Sequence, residues 1–192
     1  MKKNYKSTVN ACFAGYVVQA IVNNFVPLLF LTFNKSYGIE LSKITALITV
    51  NFILQLIIDL LSAFFIDKIG YRAAAVAAHV FAAAGLVSLT VLPEILPSPF
   101  VGLLISVVLY AVGGGLLEVI VSPIVEACPT DNKEKMMSLL HSFYCWGSVA
   151  VVGISTLYFS IFTTANWKYL ALIWAVVPIV NALNFIRVPI AP

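Results

Sequence analysis

Between Glu94 and Glu118 the chain carries no charged residue, and most of the residues there are apolar. An α-helix needs about 20 apolar residues to cross a bilayer, so this stretch is long enough to do so. Over the whole chain 61% of residues are hydrophobic and 10% are charged, whereas about a quarter of the residues of a soluble domain are charged. The sequence therefore predicts an integral membrane protein.

Charged and Pro- or Gly-rich breaks divide the chain into six apolar segments. Each reaches the length of a membrane-spanning helix, and the first is too long for the apolar part of a signal peptide, so we expect it to be retained. The connections between them are too short to hold a soluble domain. The sequence predicts an all-α integral membrane fold, a single domain over residues 1–192, with transmembrane helices at 9–33, 41–66, 73–92, 100–127, 136–163 and 168–186.

Lysines and arginines fall unequally on the two sides of these six spans. One side holds Lys2, Lys3, Lys6, Lys68, Arg72, Lys133, Lys135 and Arg187, and the other holds Lys35, Lys43 and Lys168. Because positive residues concentrate on the cytoplasmic side, this predicts that both termini are cytoplasmic, in a membrane of the bacterial inner (plasma) type. The basic residues do not form a patch, so no nucleic-acid partner is expected.

Polar side chains recur at helical spacing on four of the six spans. They form stripes of Gln19, Asn23 and Asn24 on the first span, Asn51, Gln55 and Asp59 on the second, Glu118, Ser122 and Glu126 on the fourth, and His141, Tyr144 and Cys145 on the fifth. No lysine or arginine lies mid-span to neutralise the acids, and an acid inside a membrane needs water or a cation. A water-filled cavity between these four spans is expected. His79 stands alone and is expected to hold helices together.

Glycine and proline on the fourth span suggest a bent or closely packed helix. Gly113, Gly114 and Gly115 precede Glu118 by about one turn, and small residues let helix backbones approach. Pro123 removes one helical hydrogen bond, so we expect a bend there. The three cysteines lack the spacing of a metal or disulfide motif, and neither a metal nor another cofactor is predicted.

The connection between the second and third spans, "AFFIDKIGYR", resembles the signature loop of the major facilitator superfamily. Asp67, Lys68, Gly70 and Arg72 match that loop, while Ala63 and Tyr71 stand where a glycine and a basic residue are usual. Three further stretches, "VNNFVPLL", "GGGLLEVIVSP" and "LLHSFYCWGS", resemble the fucose-permease-type sugar:proton symporters within it.

The resemblance implies the N-terminal half of a twelve-helix transporter, built as an inverted 3+3 repeat. We expect either a truncated half, because the chain stops at "RVPIAP" after its sixth span, or a pair of copies forming a parallel homodimer. The predicted partners are the lipid bilayer, a small polar solute such as a sugar, and protons. The alternative is a non-transporting module, a scaffold or sensor. An embedded hydrolase is disfavoured because no metalloprotease or serine-hydrolase motif is present, so no enzyme is expected.

The resemblance also implies roles for particular residues. Glu118 is expected to couple proton movement to transport, although these symporters carry an aspartate after the Asn pair where this chain has "FVPLL". Either Tyr144 or Trp146 is expected to stack on a sugar. The predicted solute cavity comprises Gln19, Asn23, Asn24, Asn51, Gln55, Asp59, Ser122, His141, Tyr144 and Trp146. The predicted cytoplasmic gate comprises Asp67, Lys68, Gly70, Arg72 and Glu126, with Arg72 paired to Glu126 or Asp131.

Overall fold

The structure, a computed structural model, describes residues 5–190 apart from the side chain of Ala63. Lys2 and Lys3, which contribute to the predicted orientation, lie outside this range, as do residues 191–192 and the Ala63 side chain of the loop motif. Within the described range all regular structure is helical. The helices are α1 (Lys6–Asn24), α2 (Phe30–Tyr37), α3 (Leu41–Ile69), α4 (Tyr71–Ile95), α5 (Pro99–Ala127), α6 (Lys133–Phe162) and α7 (Trp167–Arg187), with 3₁₀ turns at Val26–Leu29 and Thr164–Asn166.

Six segments of the described chain are long and apolar enough to cross a membrane. They are Lys6–Tyr37, Leu41–Ser62, Tyr71–Ile95, Pro99–Ala127, Lys133–Phe162 and Thr164–Arg187. The predicted number and order of spans are confirmed, and the protein is an integral membrane protein with an all-α fold.

The first span is not the single continuous helix that the sequence predicted. Helix α1 ends at Asn24, and a 3₁₀ turn containing Pro27 separates it from α2. Proline has no N–H to donate within a helix, which favours a break at this point. The Asn24 side chain donates to the carbonyl oxygen of Ala20 at 2.8 Å, so one carbonyl of the last turn of α1 gains a partner.

The first three and the last three spans form two trios, and the second helix of each trio packs on the first helix of the other, an exchange of contacts between the trios. Helix α3 packs on α5, the first helix of the second trio, while α6 packs on α1, the first helix of the first trio. The third members, α4 and α7, pack on each other. This exchange is the arrangement of an inverted 3+3 repeat, so the predicted architecture is confirmed.

Helices α4 and α5 approach so closely that glycine is required between them. A Cβ atom on Gly85 would lie 2.5 Å from the backbone nitrogen of Tyr110, and one on Gly113 would lie 2.5 Å from the carbonyl oxygen of Ala78. No neighbouring side chain can move to relieve these overlaps, because the atoms concerned belong to the backbone. The two helices form one wall of the bundle and position Glu118 on α5.

A fully buried polar junction ties α1, α4 and α7 together. The Asn181 amide nitrogen donates to the carbonyl oxygen of Ala11 at 2.9 Å and lies 2.8 Å from His79 Nε2. Because that amide nitrogen is a donor, Nε2 accepts, and Nδ1 donates to the carbonyl oxygen of Ala75 at 2.7 Å. The predicted helix-joining role of His79 is confirmed.

Candidate functional site

A pocket of about 530 Å³ lies between α1, α3, α5 and α6. These are the four spans on which the sequence places polar stripes. The pocket is lined by Tyr16, Gln19, Asn23, Phe52, Gln55, Leu56, Asp59, Glu118, His141, Tyr144 and Cys145. Eight of the residues in the predicted polar stripes therefore line one space, namely Gln19, Asn23, Gln55, Asp59, Glu118, His141, Tyr144 and Cys145.

Glu118 contributes a carboxylate to this pocket from α5. Gln19 of α1 donates an amide N–H to its Oε2 at 2.9 Å. No lysine or arginine is among the described residues that line the pocket, so none of the lining neutralises Glu118. A carboxylate placed among membrane helices without a cation must be hydrated, bind a cationic ligand or take up a proton.

Asn23 connects the amides of the first two spans. Its side-chain oxygen accepts from Gln55 Nε2 at 2.7 Å and from Asn51 Nδ2 at 3.2 Å. Gln55 Nε2 also donates to the Asn51 side-chain oxygen at 2.9 Å, and Asn23 Nδ2 donates to the Tyr144 hydroxyl at 3.3 Å. The network fixes the amide groups of α1 and α3 and reaches α6.

Tyr16 belongs to the pocket although the sequence reasoning missed it. Its hydroxyl lies 3.0 Å from Ser122 Oγ, and its ring centroid lies 5.7 Å from that of His141. The ring of Tyr144 meets the ring of Tyr16 edge-on at a centroid separation of 6.2 Å. A signal was present, because Tyr16 precedes Gln19 by three residues and therefore shares its helix face.

Four predicted cavity residues stand outside the lining of this pocket. Asn51 accepts a hydrogen bond from the lining residue Gln55, and the Ser122 hydroxyl contacts that of the lining residue Tyr16. Asn24 instead donates to Ser148 Oγ at 3.1 Å, across the contact between α1 and α6. Trp146 is 72% exposed. Of the two aromatic residues considered for stacking on a sugar, Tyr144 is the one that lines the pocket.

The loop resembling the superfamily signature connects α3 to α4. Gly70 has a φ angle of +81°, a conformation that residues with a side chain rarely adopt, which explains a glycine at this position. Asp67 and Lys68 are exposed in the last turn of α3, and Glu126 is exposed near the end of α5.

Arg72 does not pair with a carboxylate as expected. Its Nη1 donates to the carbonyl oxygens of Phe185 at 2.7 Å and Ile186 at 2.9 Å, and among residues 5–190 no ion pair joins it to Glu126 or Asp131. The last carbonyls of a helix lack helical partners and carry partial negative charge, so they attract a guanidinium. Arg72 therefore caps α7.

No group of three or more His, Cys, Asp or Glu side chains within the described range is placed to hold a metal ion.

Six membrane-length helices around a central polar pocket define a polytopic membrane protein with an internal site. The chain belongs to the major facilitator superfamily, because that family's model matches residues 11–192. The resemblance drawn from the loop motif is thereby confirmed at the level of the superfamily. No curated protein sequence matches the chain.

Solved structures with the same fold include transporters of sugars. The inward-open xylose transporter XylE from E. coli superimposes with a TM-score of 0.85 at 16% identity, covering 98% of this chain and 49% of that one. A D-xylose-proton symporter gives a TM-score of 0.80 at 16% identity, covering 97% and 48%. The proton:xylose symporter XylE bound to 6-bromo-6-deoxy-D-glucose gives 0.81 at 14% identity, covering 97% and 45%. The chain spans about half the length of these proteins.

Proposed function

We propose that the chain is the N-terminal six-helix half of a secondary active transporter that moves a small polar solute, a sugar, by alternating access. The observation that carries this proposal is the pocket of about 530 Å³, in which four polar stripes converge in the middle of a membrane bundle. Side chains of this kind are costly among membrane helices unless they line a functional site. Membership of the superfamily and the sugar symporters among the structural neighbours support the same choice.

In this proposal Glu118 is the group that couples protons to the solute. When ionised, it accepts from Gln19 and has further lone pairs for the hydroxyl groups of a sugar. When protonated, it loses the charge that makes its exclusion from water costly, so the pocket can close and reopen on the other side of the membrane. The proton thus permits the rearrangement that carries the solute.

The remaining lining residues supply recognition. Gln19, Asn23 and Gln55 offer amide groups to a polyol, and Asp59 and His141 offer further polar atoms. The ring of Tyr144 provides an apolar face against which a sugar ring can stack.

A second six-helix bundle covers the open side of the pocket in this proposal. Helices α3 and α6 both line the pocket, and they are the least buried of the six spans. Their polar faces are costly against lipid, which supports a protein partner there. That partner is the C-terminal half of the transporter, or alternatively a second copy in a parallel homodimer. We place both termini in the cytoplasm and the bundle in a bacterial-type inner membrane.

Uptake of labelled sugars tests this function in cells that produce the complete transporter, this six-helix chain together with the second six-helix bundle that covers the pocket. With an inward proton gradient, the wild type should accumulate one or more of D-xylose, D-glucose and L-fucose. Glu118→Gln keeps the shape of the side chain but cannot ionise, so it should lose accumulation while retaining exchange of labelled for unlabelled sugar. Glu134→Gln, at an exposed glutamate in the first turn of α6, is the matched control and should behave as wild type.

Unchanged gradient-driven accumulation by Glu118→Gln would contradict the coupling role. If the wild type binds a sugar but neither accumulates nor exchanges it, the non-transporting module is the better account.

A further inference from the structure

Of the six amide N–H groups that Gln19, Asn23 and Gln55 bring to the pocket, four donate to protein acceptors. Gln55 Nε2 donates to two protein acceptors, the side-chain oxygens of Asn23 and Asn51. Gln19 donates one amide N–H to Glu118, and Asn23 donates one to the Tyr144 hydroxyl. A primary amide has two N–H groups, so much of the donor capacity of the pocket is already committed.

The carboxylates, in contrast, have few partners. Glu118 accepts a single hydrogen bond, at Oε2, and the carboxylate of Asp59 accepts none from the part of the chain that the structure describes. Each ionised carboxylate can accept about four hydrogen bonds. Both carboxylates are exposed, so their remaining lone pairs favour a ligand that donates hydrogen bonds over one that accepts them.

The charge of the lining also favours a ligand that donates hydrogen bonds, and specifically a cation. Asp59 and Glu118 both line the pocket, and the described lining holds one histidine, His141, but no lysine or arginine. Transport as proposed above neutralises Glu118 with a proton, but no Lys or Arg of the described lining balances Asp59. Two uncompensated carboxylates in one membrane pocket are costly, so a cation that accompanies the solute stabilises the loaded state.

Aromatic rings lie in the same lining as these acids. Tyr16 and Tyr144 meet edge to face, and Phe52 lines the pocket from α3. The faces of aromatic rings attract ammonium groups. Carboxylates and aromatic faces in one pocket of about 530 Å³ are independent features that both favour an organic ammonium ion of the size of an amino sugar.

We infer that the solute of this pocket carries a protonated primary amine, as an amino sugar does, and that Asp59 binds the ammonium group while Glu118 carries the coupled proton. This inference rests on the proposed function, because it identifies the class of solute for the same pocket. An ammonium group supplies three donors and no acceptor, which matches the acceptor capacity of the two carboxylates.

Cys145 offers a direct reporter of occupancy. It is exposed and lines the pocket, whereas Cys12 and Cys128 are buried, and burial raises the pKa of the Cys128 thiol. The thiolate is the reactive form, so N-ethylmaleimide should label Cys145 selectively. A solute in the pocket should slow that labelling.

The test compares D-glucosamine with two neutral sugars of similar shape, D-glucose and N-acetyl-D-glucosamine, at about pH 6, where an amine is mostly protonated. D-glucosamine should halve the labelling rate at a concentration about tenfold lower than either neutral sugar, since hydrogen bonds between charged groups are stronger than neutral ones. In Asp59→Asn this preference should fall to about one- to twofold. Glu134→Gln should keep the full preference.

Two outcomes would overturn the inference in distinguishable ways. Equal protection by all three sugars, or stronger protection by a neutral sugar, would remove the amine requirement but leave the proposed sugar transport intact. Labelling of Cys145 that none of the three sugars slows would overturn both the amine requirement and the assignment of a sugar to this pocket.

Discussion

The contact between α4 and α5 and the exposed side of α6 differ in how much space their glycines have. A Cβ on Gly113, in α5, would overlap the backbone of α4 at 2.5 Å from the carbonyl oxygen of Ala78. A Cβ on Gly153, in α6, would meet no atom within 4 Å. One region is packed to the limit and resists change, whereas the other is open and can move or accept a partner.

The polar groups of the packed side and of the pocket that α6 lines differ in how many hydrogen-bond partners the protein gives them. His79 and Asn181, on the packed side, find partners within the protein at both ring nitrogens and at the amide nitrogen. Asp59 and Glu118, in the pocket that α6 also lines, are exposed, and the pair receives one side-chain hydrogen bond from the described chain, from Gln19 to Glu118. Saturated polar groups hold a scaffold together, whereas unsaturated ones are available to a ligand.

Gly113→Ala should have the largest effect on stability. A small effect would contradict the difference in packing between the α4–α5 contact and the open side of α6. The added methyl group must displace the α4 backbone, and overpacking of this kind costs about 1–3 kcal/mol or more. Gly153→Ala is the matched control on the open side, and it should be neutral or stabilising by up to about 1 kcal/mol, because alanine favours the helix. Thermal unfolding of both variants in detergent measures the difference. Equal melting temperatures would contradict the account of the packed side.

Asn181→Ala should have the next largest effect. It leaves the carbonyl oxygen of Ala11 and Nε2 of His79 without their donor in a fully buried site, at a cost of about 1–3 kcal/mol. Asn184 is exposed on the same helix and donates to Asn181 Oδ1 only at 3.4 Å, so Asn184→Ala should change stability by no more than about 0.5 kcal/mol. A chemical or thermal unfolding series on the two variants would decide, and a similar cost at both positions would count against a buried junction.

Lys168→Ala should have the smallest effect. Lys168 Nζ lies 2.8 Å from Glu94 Oε1, which also accepts from the Tyr37 hydroxyl at 2.8 Å, and both charged side chains are partly exposed. Exposed ion pairs contribute about 0–1 kcal/mol, and salt screens them. The melting temperature should fall slightly at low salt and match the wild type at high salt. A loss that persists at high salt would show that this contact belongs to the packed side.

Much of the fold could be predicted because membrane-spanning helices are recognised by their long apolar composition. Apolar length and breaks at charged residues placed all six spans, and helical spacing identified the four spans that surround the pocket. Even the role of His79 followed from its isolation on a span without other strongly polar groups. The loop motif from Asp67 to Arg72 led to the superfamily, which the family model confirms.

The details of the site could not be predicted, because they depend on how each helix is rotated and tilted against its neighbours. Spacing placed Ser122 on the face of Glu118, yet Ser122 is not in the pocket lining, and its hydroxyl lies 3.0 Å from that of Tyr16, which is. The partner of Arg72 is backbone at the end of α7, which no pattern of side chains reveals. The break after Asn24 was not predicted, because Pro27 favours a break whereas the apolar length of the first span favours one continuous helix.

Proton movement driven by the solute tests the central claim most directly. When a transported sugar is added to de-energised cells in weakly buffered medium, the wild type should make the medium alkaline, because each solute enters with a proton. Glu118→Gln should still exchange the sugar but produce no alkalinisation, and Glu134→Gln should match the wild type. Alkalinisation of normal size in Glu118→Gln would contradict the role of Glu118 as the proton-coupling group of the pocket.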